Sequence, residues 1–165
     1  MRYWILVFTG LLLAACQGED SSSGSAQSAV AGNAQADFQV YKSPTCGCCG
    51  DWIDHLSEAG FSSGTHHPDD MGGLKAELGI EPRHQSCHTA VSQQGYVFEG
   101  HVPASVIEDF LAAPPADALG LAVPGMPVGS PGMEMGDRFD PYDVLLLKRD
   151  GSSEVYRHIA SADQQ

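Results

Sequence analysis

The pattern of apolar and polar positions along residues 37–165 predicts an alternation of strands and helices. Four short segments are predicted to be strands, at residues 38–42, 61–66, 88–93 and 96–101. Between and after them, apolar residues at helical spacing predict three helices, with the faces Trp52, Ile53 and Leu56, then Met71, Leu74 and Leu78, then Val106, Ile107, Phe110 and Leu111. Residues 142–148 and 153–159 flank Asp150-Gly151, a pair typical of a hairpin turn. The predicted order is β-α-β-α-β-β-α, followed by a C-terminal β-hairpin.

Residues 114–141 are rich in proline, glycine and methionine and predict one long loop. Pro-Gly-Met occurs at 124–126 and again at 131–133, and Met135 follows. We expect these methionines to pack the loop onto the core as adaptable apolar groups. The alternative is metal binding, because thioethers are soft ligands for Cu(I).

The N-terminal segment predicts targeting rather than fold. Arg2 precedes an apolar stretch that is shorter than the roughly 20 residues of a spanning helix, and Leu13-Ala14-Ala15-Cys16 resembles a bacterial lipobox. We therefore predict a lipoprotein signal peptide at 1–15, a lipidated Cys16 and a flexible tether over 16–36, and one domain over 37–165. Gln17 is not the aspartate that commonly signals inner-membrane retention, which favours the periplasmic face of the outer membrane of a Gram-negative bacterium.

The charge of the chain excludes one class of partner. Removing residues 1–15 takes away only Arg2, so 7 basic residues remain against 21 acidic ones, a formal charge of −14. Nucleic acid is therefore not expected as a partner, because no basic stripe is present. We expect the membrane to be contacted only through the lipid anchor.

Three thiols occupy four positions in Cys46-Gly47-Cys48-Cys49, between the first predicted strand and the first predicted helix. At a helix start, free N–H groups and the helix dipole favour thiolates, which attack disulfides and also bind metals. A third neighbouring thiol would scramble a simple redox pair, and three thiolates suit Cu(I). Zinc remains an alternative, because Cys46 and Cys49 have a spacing common in zinc sites.

Cys87 is the fourth candidate ligand, and His88 and His101 are further candidates. Cys87-His88 precedes the third predicted strand, where the fold would bring it opposite the cysteine cluster, and His101 ends the fourth strand near the same edge. An ordinary disulfide or a buried core position is the alternative for Cys87. His84 and the pair His66-His67 are expected in solvated loops, with that pair a weak secondary metal site as the alternative; His55 and His158 are expected to be structural.

The predicted order, with its cysteine cluster between the first strand and the first helix, resembles a thioredoxin-like core. Together the motifs resemble the CopG family of periplasmic copper-resistance proteins, long described only as a metal-binding domain of unknown function. They are YKSPTCGCC at 41–49, SCHTA at 86–90, EGHVP at 99–103, GLAVPGMP at 120–127, GSPGME at 129–134 and PYDVLL at 141–146. The resemblance covers roughly residues 38–148.

This resemblance implies an α/β, thioredoxin-like fold that holds a cysteine-bridged copper cluster with a redox role in copper resistance. It implies Cys46, Cys48, Cys49 and Cys87 as ligands, with His88 and His101 as further ones. The expected function is Cu(I) binding with interconversion of Cu(I) and Cu(II), and the expected partners are copper ions and periplasmic copper-handling or redox proteins. Two alternatives stay open, a metal-independent thiol–disulfide oxidoreductase and a passive copper chaperone, so the residues do not decide whether the protein is a copper or thiol oxidoreductase.

Overall fold

A seven-stranded mixed sheet organises the fold in the computed structural model. The strands are β1 (Phe38–Lys42), β2 (Ser63–His66), β3 (His88–Ser92), β4 (Val97–Glu99), β5 (Ala118–Ala122), β6 (Tyr142–Lys148) and β7 (Ser153–Ile159). In the sheet they are ordered β2-β1-β3-β4-β5-β6-β7. The pairs β1/β2 and β4/β5 are parallel, and the other neighbouring strands are antiparallel.

The structure describes residues 36–165, which fall within one compact unit, Asn33–Gln165. Within that part of the chain, no helix is long and apolar enough to cross a membrane. The predicted signal peptide, the lipidated Cys16 and all but the last residue of the predicted tether lie outside the described residues and stay predictions.

Three α-helices accompany the sheet in the described part of the chain. They are α1 (Gly47–Glu58), α2 (Met71–Glu77) and α3 (Ala104–Ala112), and short 3₁₀ helices occur at Pro82–His84 and Ala162–Gln164. The side chain of Asp70 accepts a hydrogen bond from Gly73 N at 2.8 Å and so caps α2. The described chain is therefore a mixed α/β protein.

The hydrophobic core lies between one face of the sheet and helices α1 and α3. Trp52 and Leu56 of α1 are fully buried there, as are Ile107 and Phe110 of α3. The ring of Phe98 in β4 meets that of Phe110 edge to face at 5.7 Å. This packing fixes the start of α1 over the sheet, and the cysteines are at that start.

One prediction about this fold is wrong. Residues 114–141 do not form a single loop, because Ala118–Ala122 is strand β5 and pairs with both β4 and β6. Because Ala118, Gly120 and Ala122 are small, the sequence of β5 gives little indication of a strand. The same small residues allow β5 to lie close to β4. A Cβ on Gly120 would lie 1.7 Å from the carbonyl oxygen of Val97. The hairpin of β6 and β7, by contrast, is present at the predicted residues.

The strand directions bring several chain segments to one end of the sheet. Lys42, the last residue of β1, pairs with His88, the first of β3. Glu99 at the end of β4 is opposite Thr89 and also aligns with Ala122 at the end of β5. The cysteine loop after β1, the loop before β3, the turn after β4 and the long loop after β5 therefore meet at this end.

Candidate metal centre

The cysteine cluster begins where β1 turns into α1. Ser43, Pro44 and Thr45 form the connection, and the backbone N–H of Cys46 donates to the carbonyl of Ser43 at 3.2 Å. Cys46 is the N-cap of α1 and forms no side-chain capping bond, so its side chain does not satisfy the N–H groups of the first turn. The helix dipole at this position favours negative charge on sulfur.

Within this cluster, Cys46 and Cys49 form a disulfide. Their separation of three residues puts both on one side of the first helical turn. Cys48 is a free thiol, and its Sγ lies 3.6 Å from Cys46 Sγ. Among the described residues, Cys48 and Cys87 are the free cysteines.

Cys87 completes a group of four cysteines. It is located in the loop before β3, on the opposite side of the site from the start of α1, and it is half-buried. One sulfur each from Cys46, Cys48, Cys49 and Cys87 lies within 4.8 Å of every other, a spacing that could hold a metal ion. The structure thus brings the predicted cysteines together, and their role as ligands stays a prediction.

His101 lies on the other side of Cys87. Its Nε2 is 3.1 Å from Cys87 Sγ, and its Nδ1 is 2.7 Å from the carbonyl oxygen of Pro131. Because a carbonyl only accepts, Nδ1 carries the proton, and the lone pair of a neutral ring is on Nε2, facing the thiol. Sequence reasoning missed this contact with Pro131, whose backbone oxygen carries no sequence signal.

His88 is a fully buried candidate ligand. Its Nδ1 lies 3.3 Å from Cys87 Sγ, and its ring centre is 4.4 Å from that of Trp52. Its Nε2 is buried and has no hydrogen-bond partner among the described residues. Cys87, His88 and His101 form a second group that could hold a metal ion, and this group shares Cys87 with the cysteine group.

Burial sets the protonation of these side chains in the metal-free protein. It holds the pKa of His88 well below the ordinary value, with the charges of His101 and two lysines acting in the same direction. Burial also lowers the pKa of His101. Both imidazoles are therefore neutral at pH 7, the form that binds metals.

Cys87 is protonated in the metal-free site. Burial, and next the neighbouring Cys48, raise the pKa of the Cys87 thiol to about 11. A metal ion that binds this sulfur must displace the proton. This environment differs from the helix start at which the other three cysteines are located.

The long loop after β5 covers the site. Besides the Pro131 contact, the hydroxyl of Ser86 donates to the carbonyl of Gly125, and a Cβ on Gly132 would lie 2.7 Å from the carbonyl oxygen of Cys48. The prediction that all its methionines pack onto the core is wrong, because Met126 and Met135 are 52% and 53% exposed. Met133 is half-buried.

The other histidines lie away from the sulfur cluster. His84 is buried, and its Nε2 is 3.0 Å from the hydroxyl of Ser153, so the prediction that it is solvated is wrong. His66 and His67 are exposed, as expected, but His66 is the last residue of β2 and not part of a loop. His55 accepts a hydrogen bond from the backbone N–H of Ala104, and His158 pairs with Asp143 at 2.7 Å.

Sequence reasoning also missed a buried ion pair beside the site, between Lys75 of α2 and Glu99 of β4. The sequence marks each residue as unusual without indicating that the two pair with each other. Lys75 follows Leu74 in a helix with an apolar face, and Glu99 ends the otherwise apolar strand Val97-Phe98-Glu99. A charged residue in such a position is expected to be buried only with a partner.

Comparison with known proteins identifies the family. Residues 84–133 match the family described as proteins of unknown function, DUF411. The solved structure of copper resistance protein CopG, form 1, is 48% identical, covers 74% of this chain and 95% of its own, and has a TM-score of 0.69. Form 2 is 47% identical, covers 74% and 96%, and has a TM-score of 0.70. No curated protein gives a significant match. At this identity and coverage, the chain belongs to the CopG family.

Proposed function

We propose that this protein binds copper in copper resistance, with Cys46, Cys48, Cys49 and Cys87 as ligands. The observation that carries the proposal is the meeting of four cysteine sulfurs within 4.8 Å of one another, from two separate segments of the chain. The solved relatives at 47–48% identity are named copper resistance proteins, which favours copper as the metal.

The donor set fits copper. Cysteine thiolates are soft ligands that suit Cu(I), and neutral imidazoles accommodate either oxidation state. His101 directs the lone pair of its Nε2 at Cys87 Sγ, and the buried Nε2 of His88 lacks a partner among the described residues. Zinc accepts the same ligand types and is the alternative metal.

The two ligand groups share Cys87, so its sulfur could bridge more than one ion. The cysteine group and the group of Cys87, His88 and His101 together offer six ligand residues, more than the four of a tetrahedral site. We therefore propose a multinuclear copper site with His88 and His101 completing the shell.

The site must be reduced before all four cysteines bind metal. The Cys46–Cys49 disulfide occupies two of the four sulfurs, and two electrons and two protons return it to two thiols. We propose that the bound copper interconverts between Cu(I) and Cu(II) by exchanging single electrons with a periplasmic redox or copper-handling protein.

The disulfide also favours a second function, that of a metal-independent thiol–disulfide oxidoreductase. Cys46 and Cys49 are already bonded at a helix start, where such pairs react, and Cys48 Sγ lies 3.6 Å from Cys46 Sγ. The order β1-α1-β2-α2-β3-β4-α3, with neighbours β2-β1-β3-β4, supports the proposal of a thioredoxin-like core. Strands β5 to β7 would then be additions to it.

Location is proposed from the sequence. Residues 1–15 would be removed as a signal peptide, and the lipidated Cys16 would anchor the protein to the outer membrane on its periplasmic face, with 17–36 as tether. Labelling with a radioactive fatty acid tests this proposal. Loss of the label in Cys16→Ala supports it, and an equally labelled variant contradicts it.

Metal analysis tests the proposed function. The protein is produced in copper-supplemented bacteria, purified without oxygen, and its copper and zinc per chain are measured. Copper that is lost when all four cysteines are changed to serine supports the proposal. One zinc per chain with no copper uptake contradicts it.

A disulfide-reduction assay separates the second function from the first. An oxidoreductase whose Cys46 and Cys49 have first been reduced to thiols would reduce a model disulfide after complete chelation of metal, while its own disulfide forms again, and would lose this activity in Cys46→Ser. A copper protein without thiol turnover would show no reduction in the chelated state.

A further inference from the structure

The pair of Lys75 and Glu99 lies beside the metal centre without belonging to either ligand group. Both side chains are buried, at 4% and 0% exposure of the residues, and they connect α2 to the end of β4. A buried ion pair does not by itself stabilise a fold, because the cost of removing two charges from water offsets their attraction. Its presence here calls for another physical reason.

Both members of the pair bind the backbone of Ser86, the residue before Cys87. Glu99 Oε1 accepts from Ser86 N at 2.6 Å, and Lys75 Nζ donates to the carbonyl oxygen of Ser86 at 2.7 Å. The second oxygen of Glu99 accepts from the hydroxyl of Thr89. The backbone N–H and the backbone carbonyl of Ser86 are therefore both held by side chains, and these two side chains are also bonded to each other.

The Cys87 loop has no helix or strand of its own to hold the thiol in place. It lies between the 3₁₀ helix Pro82–His84 and the first residue of β3. The three other cysteines, in contrast, are fixed by the first turn of α1. A sulfur that must lie within 4.8 Å of three others depends on the backbone that immediately precedes it.

We propose that the buried pair of Lys75 and Glu99 positions Cys87 for metal binding by holding both backbone hydrogen-bonding groups of Ser86. The proposal rests on the proposed function, which assigns Cys87 as a ligand. Among the hydrogen bonds of the described residues, none joins the pair to one of the four cysteines, and the pair acts through the peptide groups of Ser86. It is thus a positioning device for one half of the site.

Two double variants separate positioning from folding. Lys75→Met with Glu99→Leu replaces the pair by apolar groups of similar size, a change that leaves many buried pairs as stable or more stable. It removes both hydrogen bonds to Ser86. Lys75→Met with Glu99→Gln also removes both charges, but the Gln oxygen still accepts from Ser86 N. Glu154→Gln is the matched control, since it breaks the exposed pair of Glu154 with Lys148 on β6 and β7.

Three measurements are made on the full chain of each variant. The first is the Cu(I) affinity of the reduced protein against a competing chelator. The second is hydrogen exchange of the Ser86 amide in the metal-free protein. The third is the reduction potential of the Cys46–Cys49 disulfide, which lies in the half of the site that the pair does not hold.

The Met/Leu variant is expected to bind Cu(I) about 10- to 100-fold more weakly, the range for supporting groups around metal ligands. Its Ser86 amide is expected to exchange at least about 10-fold faster, while the disulfide potential stays at the wild-type value. The Met/Gln variant should regain most of the amide protection and much of the affinity, and Glu154→Gln should match wild type.

Wild-type affinity and wild-type Ser86 exchange in a folded Met/Leu variant would overturn the proposal, as would weaker copper binding with unchanged exchange. If that variant fails to fold, the Met/Gln variant decides, because it frees the Ser86 carbonyl without leaving a buried unpaired charge. Copper affinity and Ser86 exchange that both equal wild type in the Met/Gln variant would then overturn the proposal. If the wild-type protein binds no copper, the proposed function fails, and Ser86 exchange still tests the positioning.

Discussion

Gly100 lets the loops around the metal centre approach one another. It separates Glu99 from His101 and adopts a φ of +73°, which side chains with a Cβ rarely adopt. A Cβ at this position would lie 2.5 Å from the carbonyl oxygen of Val123 and 2.7 Å from Cβ of Ser86. Only glycine therefore allows this turn, the Ser86 loop and the chain after β5 to meet.

Gly100→Ala is predicted to destabilise the protein more than Gly95→Ala. Both residues have a positive φ, for which alanine costs about 1–2 kcal/mol, but nothing lies within 4 Å of a Cβ on Gly95. Overpacking at Gly100 adds about 1–3 kcal/mol to the loss in free energy of unfolding. Chemical denaturation measures the difference, and equal losses in the two variants would contradict the predicted contacts.

At the scale of elements, α1 fixes the segment that leads from His101 into α3. The indole N–H of Trp52 donates to the carbonyl of Val102 at 2.8 Å, and His55 Nε2 accepts from Ala104 N at 3.0 Å. The second bond satisfies one of the free N–H groups at the start of α3. A protonated His55 has no lone pair on Nε2, so protonation would break the hydrogen bond from Ala104 N.

The His55 contact predicts a pH dependence of stability. Burial is the main cause that lowers the pKa of His55 below its ordinary value of 6.5, so the unfolded state binds this proton more readily than the folded state. The stabilisation is therefore fully present above pH 6.5 and is lost as the pH falls through the folded pKa. Its size at pH 7.5 is about 1 kcal/mol.

His55→Leu is expected to remove this stabilisation, so that its difference from wild type shrinks as the pH falls below 6.5. Urea unfolding from pH 7.5 to pH 4.5 measures the free energy of unfolding of both proteins. The control is His158→Leu on β7. This change removes the exposed pair of His158 with Asp143, which stabilises the fold by at most about 1 kcal/mol. A difference for His55→Leu that grows on acidification would contradict the contact.

The sequence predicted the elements with strong local signals and missed those that depend on packing. The cysteine loop between β1 and α1 and the hairpin of β6 and β7 are marked by cysteine density, apolar alternation and Asp150-Gly151. Strand β5 is built from Ala, Leu and Gly, and only its place between β4 and β6 makes it a strand. The sequence around His84 is typical of a solvated loop, and its burial depends on the contact with Ser153 of β7.

In the candidate site, too, some features could be predicted from the sequence and others depend on packing. That the cysteines and His101 come together could be predicted, because their residue types carry metal chemistry and the strand order places them at one end of the sheet. The contact of Pro131 with His101 could not, because it comes from a backbone carbonyl in a loop. Which face of α2 meets β4, and hence the pairing of Lys75 with Glu99, also depends on tertiary packing.

At the scale of the whole molecule, the proposed copper site predicts that copper binding depends on the redox state of the cysteines. If copper binds only the folded protein, free Cu(I) at 100 times its dissociation constant stabilises the fold by about 2.7 kcal/mol. The disulfide-bonded protein offers two fewer sulfurs and should gain less. Thermal unfolding without oxygen, with and without prior reduction, measures this difference. An equal gain in both states would contradict the use of Cys46 and Cys49 as ligands.

Anaerobic titration of the reduced protein and of Cys87→Ser with Cu(I), against a chromophoric chelator, tests most directly whether the two chain segments form one copper site. Wild type should take copper from the chelator, and Cys87→Ser should bind less copper per chain and bind it at least about 10-fold more weakly, because Cys87 belongs to both ligand groups. The same stoichiometry and affinity in the two proteins would contradict the account.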